Sequence, residues 1–186
     1  MKKTTYSQGD HKLTSLSPEI LLNFINPIFF ETGTNTGLGV SCAVDSGFKK
    51  VYSIDIEERY YEMALLTFQD KELYDGVKFN FFLGDSGVVM PEILSNIDEK
   101  ITFWLDGHEF YKIPLINELE SIKNHKIKDH TILIDDVRML TRPEWNNIGL
   151  ESIINKIKEI NERYEISFVD SINGNNDILV AKINEQ

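Results

Sequence analysis

The chain is poor in cysteine, in basic charge and in long apolar runs, and each shortage excludes something. Cys42 is the only cysteine in 186 residues. It rules out an intrachain disulfide and a zinc cluster of several thiolates, so a reducing, cytoplasmic setting is expected. Lys and Arg number 19 against 30 Asp and Glu, a formal net charge of −11. No nucleic-acid partner is expected, because binding phosphates needs a basic face and Lys2, Lys3 and Lys12 are too few to build one. The longest apolar runs fall far short of a bilayer span, so no membrane association is expected. No apolar core precedes residue 20, so no secretory leader is expected either. Internal repeats and low-complexity tracts are also missing.

What the chain does have is regular alternation. Ser17, Pro18 and Glu19 open a short helix predicted to run to about residue 26, where Pro27 stops it. Short β-like runs follow at 28–32, 51–54, 77–83, 101–105 and 131–134. Helical apolar spacing separates them: Val40, Ala43, Val44 and Phe48; Tyr60, Tyr61, Ala64, Leu65 and Phe68; then Leu115, Ile116, Leu119 and Ile122. Asp75-Gly76 marks a turn before the third run, and Pro91 is placed near the first turn of a helix ending around Asn96. After Pro143, a helix at 150–162 aligns Leu150, Ile153, Ile154, Ile157 and Ile160. Two last strands, 165–169 and 177–183, flank a turn at Asn173-Gly174. This pattern predicts an α/β fold with a mostly parallel sheet, an antiparallel last strand and helices on both faces. Its organisation is expected to be a short N-terminal segment, 1–27, with one helix, and a single domain over 28–186.

The stretch FFETGTNTGLGV at 29–40 is the most informative in the chain. An apolar run ends in Glu31, Gly33, Gly37 and Gly39 follow, and an amphipathic segment begins. That is a strand turning tightly into a helix, with backbone able to approach a ligand. A surface turn would look similar. The next strand ends on Asp55, 22 residues after Gly33, where doubly wound nucleotide folds place an acid on the ribose; capping the next helix is the competing reading. The spacing is E-x-G-x-x-x-G-x-G rather than the dinucleotide pattern.

That spacing resembles the first motif of class I S-adenosylmethionine-dependent methyltransferases, and the seven-strand pattern matches their Rossmann-like architecture. The resemblance implies that Glu31, Gly33, Thr34, Gly37 and Gly39 form the cofactor loop, that Asp55 sits at the ribose, and that Ile56 also belongs to the cofactor-binding set. It assigns Asp85 and Ser86, after the third strand, to the adenine, and Asp106 to the cofactor as well. Simple helix capping is the alternative for Asp85 and Ser86.

Acids close five successive strands: Glu31, Asp55, Asp85, Asp106 and the pair Asp135-Asp136. In open α/β sheets ligands bind beyond these carboxyl ends. The segments LDGH (105–108) and LIDD (133–136) resemble metal-dependent O-methyltransferases of the catechol and macrocin types, and small bacterial relatives sharing W-L-D-G-H, P-L-x-x-E-L and I-L-I-D-D-x-R. By that resemblance Asp106, Asp135 and Asp136 hold Mg²⁺ or another divalent cation, and His108 is the base, with Asp106 beside it in the catalytic set. The segment between His108 and Pro114 is shorter than in those relatives, so acceptor identity does not carry over.

The chemistry is coherent. Hard cations take oxygen ligands, a metal lowers the pKa of a bound hydroxyl, and imidazole can take its proton. The expected activity is methylation of a small-molecule or sugar hydroxyl. The alternatives are a metal-free N- or O-methyltransferase and a cofactor-binding protein without catalysis. Histidines 11, 108, 125 and 130 are four in number, so His108 also reads as an ordinary loop residue. Arg138 neutralises the acidic rim or holds an anionic substrate group, or makes a structural ion pair. Trp104 reads as core, and Trp145 as packing or a substrate wall. The short N-terminus suggests a homodimer in which a neighbour covers the site.

Overall fold

The computed structural model describes residues 15–70, 74, 76–108 and 113–184. Lys2, Lys3, His11, Lys12 and Asp75 lie outside the described residues. Seven strands form one sheet in the order β3-β2-β1-β4-β5-β7-β6. They are β1 (Ile28–Thr32), β2 (Lys50–Asp55), β3 (Lys78–Leu83), β4 (Ile101–Leu105), β5 (Thr131–Ile134), β6 (Glu165–Ser171) and β7 (Gly174–Lys182). The helices are α1 (Pro18–Leu21), α2 (Leu38–Asp45), α3 (Glu58–Thr67), α4 (Ser86–Ser95), α5 (Leu115–Asn124) and α6 (Leu150–Ile160). β1 through β5 pair in parallel, and β7 is antiparallel to both β5 and β6. The fold class is therefore the one the alternation predicts. No helix among the described residues is long and apolar enough to cross a membrane.

The central strands read as unbroken apolar runs because both faces of the sheet are covered. In β1, β4 and β5 every residue is buried. Alternate residues feed two cores. Phe30, Phe103, Ile132 and Ile134 pack with Leu115, Leu119 and Ile122 of α5 and Ile153, Ile157 and Ile160 of α6. Phe29, Val51, Trp104 and Leu133 pack on the opposite face with Val40, Cys42 and Ala43 of α2 and Ala64 of α3.

Four local expectations change. α1 is a single turn ending at Leu21, and Asn26 instead reaches across to Ile101 O, Thr102 Oγ1 and Thr131 Oγ1 at the starts of β4 and β5. Pro91 lies in the middle of α4, which starts earlier because Asp85 accepts from Gly87 N at 2.9 Å and caps it. Leu65 is 44% exposed, since the buried stripe of α3 passes through Ala64. The hairpin turns at Ile172 and Asn173, with Gly174 already paired to Ser171.

Two histidines close the amino-terminal edge of the sheet. His130 is fully buried and His125 is 5% exposed. Ile101 N donates to His130 Nδ1 at 3.1 Å, so that nitrogen is bare. His125 Nε2 lies 2.9 Å from Ile97 O and must donate to it. The contact of 2.8 Å between His130 Nε2 and His125 Nδ1 then has His130 as donor, and both rings are neutral. A proton added to His125 Nδ1 would set two N–H groups against each other. Burial, reinforced by His125, lowers the His130 pKa to about 3. A depressed folded-state value means this stability is complete above the unfolded pKa of about 6.5 and is lost as pH falls below it. Denaturant unfolding should therefore lose up to about 1.4 kcal/mol per pH unit between pH 6 and pH 4 from this site. His130→Asn should be less stable at pH 7 and show a shallower slope; a slope equal to wild type would assign the acid sensitivity elsewhere.

Candidate functional site

The turn from β1 into α2 is built around a buried carboxyl. Glu31 is 2% exposed, and Ser53 of β2 donates its hydroxyl to Glu31 Oε2 at 2.7 Å. Thr34 in turn donates to Ser53 Oγ at 2.6 Å. Burial, together with the charge of Asp55, outweighs the Ser53 bond and raises the Glu31 carboxyl to about 8. The glycines are fixed by contact. A Cβ on Gly39 would stand 1.8 Å from Glu31 Oε1, and one on Gly33 would stand 2.7 Å from the Asp106 carbonyl oxygen. Gly33 and Gly37 also hold φ of +85° and +81°, and Gly37 caps α2.

Beyond the carboxyl ends of β1, β2, β3 and β4 lies a cleft of about 680 Å³. Of the residues singled out in the sequence, Gly33, Asp55, Ile56, Asp85, Ser86, Asp106 and His108 line it. Glu31, Thr34, Gly37 and Gly39 are buried behind this wall and shape it. Asp55 accepts from two backbone amides, Asn35 N at 2.7 Å and Glu57 N at 2.8 Å. It thereby ties the β1 turn to the start of α3, whose own capping position is Glu57. Ile56 is 45% exposed and offers an apolar surface at the cleft. Asp85 caps α4, and Ser86 turns away from a capping role to donate to Glu118 Oε1 at 2.5 Å.

His108 stands between two acids. Its Nε2 is 3.0 Å from Asp136 Oδ2 and 3.6 Å from Asp106 Oδ1. Its ring packs on Trp145, centroids 5.0 Å apart, and Trp145 is 2% exposed, so packing is what that tryptophan does. Asp136 has positive φ of 56°, which turns its side chain at the end of β5. Its other oxygen, Oδ1, accepts from Arg138 Nη1 at 2.6 Å, and the same nitrogen bonds Asp177 of β7. Burial alone would raise the Asp136 carboxyl, but the His108 bond and the Arg138 charge hold it below the usual carboxylate range.

Asp106 and Asp135 are less compensated: hydrogen bonds from Ser15 and from the Asp136 backbone act on Asp135, but burial outweighs them. Burial, then the charges of Asp135 and Asp136, push Asp106 well above its ordinary value. Burial and Asp136 push Asp135 up to about 6, and Asp135 Oδ1 is buried with no hydrogen-bond partner among the described residues. Ligand atoms of Asp106, His108 and Asp136 lie within 4.8 Å of one another, as do those of Asp135, Asp136 and Asp177. The acids predicted to hold a metal thus fall into two overlapping groups, joined through Asp136.

Two buried acids were given no role from sequence, although one of them, Glu118, is the acid of the P-L-x-x-E-L segment. Asp177 opens the apolar run of β7, where an acid in a hairpin strand reads as surface. Glu118 stands on the buried stripe of α5 and is 1% exposed. Its signal was present: a carboxylate between Leu115 and Ile122 at core spacing.

No protein-family model matches the chain, and no curated protein is similar to it in sequence. Solved structures are similar in fold. An O-methyltransferase from Bacillus cereus in complex with S-adenosylhomocysteine superposes with a TM-score of 0.62 at 13% identity, over 96% of this chain and 82% of that one. The S-adenosylhomocysteine-bound methyltransferase PaMTH1 of Podospora anserina gives 0.61 at 12% identity, over 90% and 76%. The O-methyltransferase TomG of Streptomyces achromogenes, involved in tomaymycin synthesis and bound to S-adenosylmethionine, gives 0.57 at 12%, over 95% and 80%. The chain has the Rossmann-like class I methyltransferase fold.

The contact between Gly39 and Glu31 is directly testable. Gly39→Ala should lower the free energy of unfolding by about 1–3 kcal/mol, because the new methyl overlaps a buried carboxyl. Denaturant titration measures it, and an unchanged midpoint would show that Glu31 relocates without cost.

Proposed function

We propose that this chain, on its class I methyltransferase fold, is an S-adenosylmethionine-dependent O-methyltransferase acting on a small-molecule or sugar hydroxyl, assisted by a divalent cation. The observation that carries the reading is the cleft at the carboxyl ends of β1 to β4, which joins an Asp55-held glycine turn to the His108–Asp136 pair. Asp55 stands at the end of β2 with its carboxylate at the cleft, where it suits ribose hydroxyls. Ile56 suits an adenine face, and Gly33 lets the backbone come close to the rest of the ligand.

S-adenosylmethionine supplies a methyl group on a positive sulfur, which passes to the acceptor oxygen as the carbon–sulfur bond breaks. His108 removes the acceptor's proton. Its Nε2–H faces Asp136 at 3.0 Å, so the proton is received at Nδ1. Asp136, held ionised by Arg138, fixes the ring and stabilises the imidazolium that forms.

The donor set fits a divalent cation. Asp135 Oδ1 is an unpartnered buried oxygen, and Asp106 and Asp135 carry mutual repulsion that a cation would relieve. Asp136 would hold it together with Asp106 or with Asp135, which belong to two groups of ligand atoms that meet only at Asp136; a bound cation lowers the pKa of a hydroxyl beside it. One observation favours the metal-free alternative: both oxygens of Asp136 already have side-chain donors, His108 and Arg138.

Calorimetric titration with S-adenosylhomocysteine, with and without Mg²⁺, and then with Mg²⁺ alone, tests the reading. Micromolar nucleoside binding and a separate, EDTA-sensitive ion site support it. Nucleoside binding with no ion site moves the reading to the metal-free enzyme, and no nucleoside binding removes it. Asp55→Ala should weaken S-adenosylhomocysteine about tenfold or more, the effect of losing hydrogen bonds to a charged group. Asp135→Ala should leave that affinity within about twofold while reducing turnover, and His108→Ala should reduce kcat by about 10²–10⁴. Normal turnover in Asp135→Ala would eliminate the metal.

A further inference from the structure

Asp177 is an acid where the core would accept an apolar residue. It directly precedes Ile178, Leu179 and Val180 of β7, all buried, and its own side chain is 1% exposed. The hairpin departs from regular pairing to accommodate it. Val169 pairs with Ile178 and Ser171 with Gly174, so residues 175–177 stand opposite Asp170 alone, and Asn176 takes a φ of +55°. A bulge of this kind re-aims a side chain out of the regular alternation. Here the acid meets the loop after β5. Ser171 Oγ donates to Asp177 Oδ2 at 2.8 Å, Arg138 N donates to Oδ1 at 3.4 Å, and Arg138 Nη1 also bonds Oδ2. A buried ion pair stabilises a fold no better than well-packed apolar residues of similar volume. Stability does not account for the arrangement.

What lies beyond Arg138 does. Its Nη1 also bonds Asp136 Oδ1 at 2.6 Å, and Asp136 Oδ2 is 3.0 Å from His108 Nε2. Asp106 Oδ1, at 3.6 Å from the same nitrogen, is outside hydrogen-bond range. The Arg138 side chain is 38% exposed and that of Asp136 is 11% exposed, so the buried Asp177 is the fixed end of the row. The last torsion of an aspartate is soft. With Oδ1 of Asp136 held by Arg138, Oδ2 is the oxygen left to face the ring. An ionised carboxylate only accepts, so the ring nitrogen facing it carries the proton. Nε2–H leaves Nδ1 bare, and a neutral imidazole takes up a proton only at its bare nitrogen.

Resting on the reading of His108 as the base, we propose that Asp177 is a positioning residue of this site: through Arg138 it fixes Asp136, and through Asp136 it keeps His108 in the Nε2–H form, with Nδ1 free to receive the acceptor's proton. The β6–β7 hairpin then serves the reaction without touching a ligand. Loss of the anchor leaves Arg138 free to swing into solvent or to draw Asp136 off the ring, and either movement releases the tautomer. Asp177 and Arg138 act in series, so the effects of replacing them do not add.

The test is long-range proton–nitrogen correlation NMR of the imidazole rings in the full chain, with EDTA present, at about pH 9, where imidazole is ordinarily neutral. The samples are wild type, Asp177→Asn, Arg138→Gln and the double variant, with His108→Asn to identify the signal. Wild-type His108 should be in the Nε2–H form. Asp177→Asn should move the tautomer ratio about tenfold toward Nδ1–H, the effect of losing one charged hydrogen bond. Arg138→Gln should do the same, and the double variant no more than either. His125 and His130, tied to Ile97, Ile101 and each other at the opposite edge of the sheet, should not change. A lowered unfolding midpoint with the wild-type tautomer ratio would mean that Asp177 is merely structural, and overturns the proposal. Additive shifts in the double variant overturn it too. Arg138→Gln carries the test if Asp177→Asn does not fold, and an unchanged ratio there is equally fatal. A wild-type ring in the Nδ1–H form overturns both the proposal and Nδ1 as the basic atom. Calorimetry with S-adenosylhomocysteine on the same samples judges the methyltransferase reading separately: every variant should bind within about twofold of wild type, and a wild type that does not bind removes the base role and this proposal with it.

Discussion

Carboxyl groups enter the carboxyl edge of the sheet at the ends of five parallel strands, and the structure around the cleft depends on where each finds a donor. A buried acid without one either takes up a proton or waits for a cation. Glu31 is met by the Ser53 hydroxyl and its carboxyl is raised to about 8. Asp55 takes two backbone amides and Asp85 takes the first turn of α4, so these two act as braces of the loops that carry them. Asp136 is bonded on both sides, by His108 and Arg138. Asp106 and Asp135 are the least compensated, and Asp135 Oδ1 has no hydrogen-bond partner among the described residues.

Topology sets this up. With β1 and β4 adjacent at the centre of the sheet, the chain leaves β1 toward one edge and returns to build the other. The turns after neighbouring strands then separate and open a crevice, as open α/β sheets do where the strand order reverses. β4 and β5 lie side by side, so Asp106 and the Asp135–Asp136 pair share one rim. The antiparallel β7 brings Asp177 beside them, and Asp177 anchors Arg138, which in turn holds Asp136. The β6–β7 hairpin thereby reaches His108 through the side chains of Asp177, Arg138 and Asp136.

Some of this was legible residue by residue. Gly39 had to be glycine because the carboxyl of Glu31 fills the space its Cβ would need, and the E-x-G-x-x-x-G-x-G spacing carries that requirement in the sequence. The strands were legible because both their faces are buried and their apolar runs are unbroken. The pairing of His108 with Asp136 across 3.0 Å was not, since the two residues meet only after β4 and β5 pair. Glu118 was visible as an acid at core spacing, yet its partners Thr32 and Ser86 lie 86 and 32 residues away along the chain. α1 ended early because Asn26 found acceptors at the starts of β4 and β5, contacts that helix propensity does not contain.

The sequence by itself determined the period of each segment, the glycine turn after β1 and the delivery of an acid to the end of each of five strands. These depend on local sterics and on which face of a short segment is apolar, and neighbouring residues suffice to fix them. Tertiary structure alone decided which acids are neutralised and which are left charged. That depends on distances between side chains brought together by strand order, in a region from which water is largely excluded, where a donor 3 Å away or its absence changes the state of a carboxylate.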